Sequence, residues 1–151
     1  MTMENNFFVK SFVIIQASPA KIWDLLINPE KIKLYLYGSN VHTDWNAGSE
    51  ILFIRDRLHP MAPISAKPIV DKGRVLEIEK EKFLKFSFYS SMEGYRDLPE
   101  NYSIVTYALS GEGDHVKLDY CRSNIPIEIE KKNQDKFMPG MMAQIKMLAE
   151  S

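Results

Sequence analysis

Residues 17–38 read ASPAKIWDLLINPEKIKLYLYG, and two helix starts stand ten positions apart inside them. Ser18-Pro19 sets an N-cap ahead of a proline at the first helical position, where the missing N–H costs nothing. Ile22, Leu25 and Leu26 then share one helical face beside Trp23. Asn28-Pro29 repeats the signal, and Ile32, Tyr35 and Leu36 form the face of a second short helix over 29–36. Helices this brief are marginal alone in water, so the pair must lean on a larger body.

Working outward, that body reads as a sheet. Residues 7–15 (FFVKSFVII) are a β-branched and aromatic run, the first strand. From Ser39 the period is two: a strand over 41–45, a turn at 46–48 and a returning strand over 49–58. Three prolines in 59–68 (HPMAPISAKP) exclude helix and central strand, leaving a long loop of the kind that forms lids and binding edges. After Lys72-Gly73, Arg74, Leu76 and Ile78 share one face and Val75, Glu77 and Glu79 the opposite one. Leu84, Phe86 and Phe88 alternate with Lys85, Ser87 and Tyr89. Beyond a polar loop at 90–101 come Val105, Tyr107 and Leu109, then a turn at 111–114, then Val116, Leu118 and Tyr120. One apolar and one polar face per strand is the pattern of an antiparallel sheet wetted on one side. The chain ends in a helix from about 127 to 150, with Phe137, Met141, Ile145 and Leu148 at helical spacing and Met138 and Met142 beside them. Pro139-Gly140 predicts a kink or break there. The class is α+β.

The totals bound what such a domain does. The chain has 151 residues, one domain's length, with 45% hydrophobic and 26% charged residues, as in globular proteins. Its formal net charge of −1 removes the broad attraction to phosphate on which nucleic-acid binders depend. A single cysteine, Cys121, permits no intrachain disulfide and predicts a reducing compartment, the cytoplasm. Residues 1–10 lack the basic and apolar regions of a signal peptide, and no apolar run approaches a membrane span.

The residues that carry chemistry elsewhere are thinly spread. His42 and Asp44 lie two apart on one strand face and are within reach of each other. His115 and Cys121 share parity but lie roughly 20 Å apart along a strand, too far for a nucleophile and its base. His59 stands in the proline-rich loop. No CxxC, HExxH or glycine-rich phosphate motif is present, so no metal, cofactor or catalytic set is expected. The charge run at 128–136 reads as the solvated start of the last helix.

The order strand, two short helices, six strands, long helix resembles the START-like (SRPBCC) superfamily. The motifs point to its AHSA-like branch, the domain related to the activator of the heat-shock chaperone ATPase. Pro19, Trp23 and Pro29 hold motif positions in the opening segment. Asp44, Trp45 and Gly48 match within TDWNAGSEILF at 43–53, which gives Asp44 a structural role in the turn. KGRVLEIE at 72–79 and SIVTYAL at 103–109 follow in the expected order. The resemblance spans nearly the whole chain and implies a helix-grip fold, a curved antiparallel sheet of about seven strands wrapped around the C-terminal helix. It further implies a cavity between sheet and helix. The candidate lining is Phe53, Leu76, Phe86, Phe88, Tyr107, Leu118 and Tyr120, roofed by Met138, Met141 and Met142. Arg74 shares parity with Leu76: it either binds a ligand carboxylate or reaches water from the strand end. The sequence departs from the family where its C-terminal helix often carries a tryptophan, against Phe137 to Met142 here.

Three functions fit, in this order. An apolar or aromatic small molecule, lipid-like or polyketide-like, is the expected partner of the cavity. A protein-interaction module, contacting a chaperone or a second copy through an outward face with Phe83 and Tyr89, comes second. It ranks lower because eukaryotic chaperone activators carry a separate N-terminal chaperone-binding domain, and these 151 residues account for one domain only. A cyclase- or aromatase-like enzyme using Arg74, Tyr107 and Tyr120 comes third.

Overall fold

The computed structural model describes residues 7–55, 67–112 and 114–151. Most of the expected 59–68 loop, His59 included, lies outside them, as do residues 56–58 of the expected strand over 49–58.

The tandem helix starts fold as their residues dictate. Ser18 caps α1 (Pro19–Ile27) by accepting from the Lys21 amide, and Asn28 caps α2 (Pro29–Ile32) by accepting from the Glu30 amide. Helix α2 is a single turn rather than the expected 29–36, because residues 33–38 continue as turns that end at Tyr37 and Gly38 with positive φ. The buried Tyr35 hydroxyl donates to the Leu25 carbonyl at 2.7 Å and ties this segment back to α1. Desolvation holds that phenol well above its ordinary range. Tyr35→Phe is expected to lower stability by about 1 kcal/mol, read from the urea midpoint, with no change in slope.

Seven strands form one antiparallel sheet: β1 (Phe7–Ile15), β2 (Asn40–His42), β3 (Glu50–Arg55), β4 (Ile69–Glu79), β5 (Phe83–Ser90), β6 (Ser103–Glu112) and β7 (His115–Ile125). Their order is β1-β7-β6-β5-β4-β3-β2, so β1 and β2 are the edges. Helix α3 (Glu128–Glu150) packs on β1, β7 and α1. It runs unbroken through Pro139, so of the kink or break expected there the break is not found. Met138, Met141, Met142 and Ile145 are all buried on either side of the proline, and that packing outweighs one lost backbone hydrogen bond. The curved sheet and the long helix make a helix-grip fold. No helix among the described residues is long and apolar enough to cross a membrane.

Strand β4 departs from simple alternation. Val75 pairs with Phe86, yet Glu77 pairs with Lys85, so Leu76 is one residue too many against β5. This bulge turns both Val75 and Ile78 toward the core and leaves Arg74 and Leu76 outside, Leu76 being 40% exposed. Before the bulge, Asp71, Gly73 and Val75 face inward. At Gly73 the backbones approach so closely that a Cβ would lie 1.7 Å from the Ser87 carbonyl oxygen.

Tyr89, expected on an open outer face, is buried instead. The segment 91–102 folds over it: its hydroxyl donates to the Tyr95 carbonyl at 2.8 Å, and its ring lies 5.4 Å from Tyr102. Phe83 is half-buried. Neither offers the free contact surface anticipated from strand parity.

Candidate functional site

A cavity of roughly 540 Å³ lies between the concave face of the sheet and the first half of α3. Alternation on neighbouring strands builds its floor. Phe53 on β3 meets Phe86 and Phe88 on β5 at ring distances of 5.7 and 5.5 Å. Tyr107 on β6 is registered opposite Tyr120 on β7, their rings 5.3 Å apart. Phe137, Met138 and Met141 on α3 roof the space, and Tyr37 stacks on Phe137 at 4.8 Å beside Leu36.

Of the residues expected to line it, Phe53, Phe86, Phe88, Tyr107, Tyr120, Met138 and Met141 do so. Leu118 and Met142 are fully buried but belong to the closed core beyond the cavity. Leu76 and Arg74 are excluded by the bulge in β4. The Arg74 guanidinium instead donates to the Gly48 carbonyl at 3.0 Å, bracing the turn ahead of β3. The set Arg74, Tyr107 and Tyr120 is therefore never assembled. Burial also pushes the Tyr120 phenol up to about 12, and that of Tyr107 well above its ordinary value.

One end of the cavity is polar. Arg122 continues the inward series of β7, one alternation beyond Tyr120, and is 4% exposed. Its Nε donates to the Ser103 hydroxyl at 2.8 Å, its guanidinium lies 4.9 Å from the Phe88 ring, and its second arm is ion-paired with Glu130 of α3. Glu130 is fully buried and also accepts from the Tyr95 hydroxyl at 3.2 Å. Asp71 on β4, 4% exposed, lines the same end with Glu93, Ser90 and Arg55, whose guanidinium is 3.9 Å from one Asp71 oxygen.

Burial raises the Asp71 carboxyl above its ordinary value, and the Ser90 hydrogen bond and the two arginines offset this only in part. Burial, reinforced by the Glu130 charge, raises Glu93 as well. A carboxyl raised in the folded state binds its proton more tightly there than in the unfolded chain. Its contribution to stability therefore falls as pH rises from its ordinary value, near 3.8, through its folded value. Asp71→Asn is accordingly expected to be at least as stable as the wild type at pH 7. The gain should shrink toward zero as pH approaches 4, read from urea midpoints across that range.

Outside the cavity little chemistry is assembled. His115 contacts Gln16 Nε2 at 3.0 Å and Asp114 at 2.6 Å, and Cys121 is half-buried on β7. Among the described residues no group of three or more His, Cys, Asp or Glu could hold a metal ion.

Comparison with known proteins fits this geometry. Residues 16–150 match the family described as Activator of Hsp90 ATPase homolog 1-like protein. The chain belongs to that family. Among solved structures it is similar to ChR145 from Cytophaga hutchinsonii, at 31% identity and a TM-score of 0.78, covering 95% of this chain and 94% of that one. The Aha1 dimer from Colwellia psychrerythraea is 14% identical, with a TM-score of 0.69 over 95% of this chain and 96% of its own. An HSP90 activator from Plasmodium falciparum is 15% identical, with a TM-score of 0.65 over 91% and 94%. At those lower identities the likeness shows the fold alone. No curated protein matches the chain.

Within this family member, sequence reasoning missed the polar end. Arg122 keeps the parity of Val116, Leu118 and Tyr120, so extending the alternation by two residues would have found it. Glu130 lies eight and eleven positions before Met138 and Met141, on the same helical stripe rather than on a solvated face. Asp71 sits ahead of Gly73, inside a strand that begins five residues earlier than the alternation read from Arg74.

Proposed function

We propose that this member of the family binds an aromatic or otherwise apolar small molecule in the cavity between sheet and α3. One observation carries the reading: a space of roughly 540 Å³, within the range of small-molecule pockets, is ringed by seven aromatic side chains from β3, β5, β6, β7, α3 and the turn after α2. Apolar surface of this kind is stabilised by contact with a matching ligand, and flat rings suit offset stacking on Phe53, Phe88 or Tyr120. The methionines of the roof are flexible enough to follow a ligand's outline.

Native mass spectrometry of the purified protein, set against its denatured mass, tests the reading. A discrete excess mass lost on unfolding is the expected result. An unliganded mass, joined to failure to take up the neutral dye N-phenyl-1-naphthylamine, would overturn it.

A second reading rests on a different surface. Phe8, Phe12 and Ile14 lie on the outer face of edge strand β1, exposed by 51%, 61% and 41%. An unpaired strand edge with exposed aromatics is a template for a second copy of the chain. Sedimentation equilibrium of the wild type and Phe12→Ser decides this. A dimer lost in the variant supports the surface, and monomers in both set it aside.

A further inference from the structure

The charges at the polar end of the cavity are unevenly matched. Arg122 gives its Nε to Ser103 and one arm to Glu130, and lies against Phe88. Arg55 stacks on Tyr37 at 5.4 Å, and its side chain is 24% exposed, so water can serve its remaining donors. Asp71 has no such access. Among the described residues its Oδ1 is buried without a hydrogen-bond partner, and so is Oε2 of Glu130, the ion-pair partner of Arg122. Among the described residues, half-buried Glu93 adds a third carboxylate to a cluster with two guanidinium groups. Buried acceptors in native proteins are normally satisfied, and each unpaired one costs stability. Such a cost persists where a ligand's donor meets the acceptor.

We propose that the ligand carries a cationic amine on its aromatic body, and that Asp71 receives the amine's N–H donors at the polar end of the cavity. This rests on the reading of the cavity as a ligand site. An ammonium brings several donors and offsets the surplus negative charge, whereas a hydroxyl satisfies one oxygen and leaves that surplus in place. A carboxylate head would add a fourth negative group, with Arg122 already engaged. The aromatic floor suits the rest of such a molecule, Phe53 and Phe88 on one side and Tyr107 and Tyr120 on the other.

Isothermal titration calorimetry at pH 7 with 1-naphthylmethylamine, 1-naphthalenemethanol and 1-naphthoic acid tests this, since the three share one hydrocarbon body. The wild type is expected to bind the amine at least about tenfold more tightly than the alcohol, with the acid weakest. Asp71→Asn should bring the amine to within about a factor of two of the alcohol. An alcohol bound as tightly as the amine, or an acid bound most tightly, overturns the proposal and leaves the cavity reading intact. No binding of any of the three overturns both. The wild-type series decides the matter even where the variant fails to fold.

Discussion

Replacing Arg122 with methionine is expected to destabilise the protein by about 3–5 kcal/mol, because it leaves Glu130 charged, buried and unpaired. Water cannot reach Glu130, and of its remaining contacts only the Tyr95 hydroxyl donates to its paired oxygen. Ser103 loses the bond from Nε at the same time. For a chain of this size the shift in Tm is on the order of 10 °C. Removing both charges, as in Arg122→Met with Glu130→Leu, should recover most of the loss, since two apolar side chains need no partners. The combination of a severe single variant and a mild double one, measured by urea denaturation, separates a coupled buried pair from two independent packing defects. Additive losses would contradict the account.

Gly73→Ala is the second substitution expected to act strongly, despite adding only one methyl group. The new Cβ would stand 1.7 Å from the Ser87 carbonyl oxygen, and the obstacle is backbone rather than a side chain that could rotate away. Relief requires β4 to withdraw from β5 just ahead of the bulge at Leu76, where Asp71 and Phe88 meet the cavity. A loss of about 3 kcal/mol or more follows, at or above the upper end of ordinary overpacking. Gly48→Ala and Gly111→Ala make useful contrasts. A Cβ at either meets nothing within 4 Å, but Gly48 has φ +92 and Gly111 does not. Gly48→Ala should therefore cost about 1 kcal/mol through backbone strain alone, and Gly111→Ala close to nothing.

The fold was legible because its signals are local and repeat. The two capped prolines at 18–19 and 28–29, the period-two strands and the apolar stripe of the last helix each follow from residue spacing. The aromatic lining was legible for the same reason, since Phe86, Phe88, Tyr107 and Tyr120 keep parity within regular strands. Parity misled at β4, where one extra residue reverses the facing of everything on one side of it. Alternation alone places Arg74 and Leu76 inward for that reason, and nothing in their own chemistry signals a bulge. Parity cannot show the burial of Tyr89, because it comes from the segment 91–102, a tertiary contact with no period. The charged cluster was hidden differently. A lone Arg on a strand and a lone Glu in a charge-rich helix each look solvated, and only their meeting across the fold, with Asp71 and Arg55 alongside, makes either one sensible in the interior.

The central claim is that the space under α3 receives a ligand, and filling that space tests it most directly. Val105 lines the floor, registered opposite Phe86 on one neighbouring strand and Arg122 on the other, and is 4% exposed. Fluorescence titration of the wild type and Val105→Trp with N-phenyl-1-naphthylamine should give saturable one-to-one binding to the wild type. Affinity should be at least about tenfold weaker in the variant, whose indole occupies the site. Equal binding by the two proteins, or no saturation with the wild type, would contradict the claim.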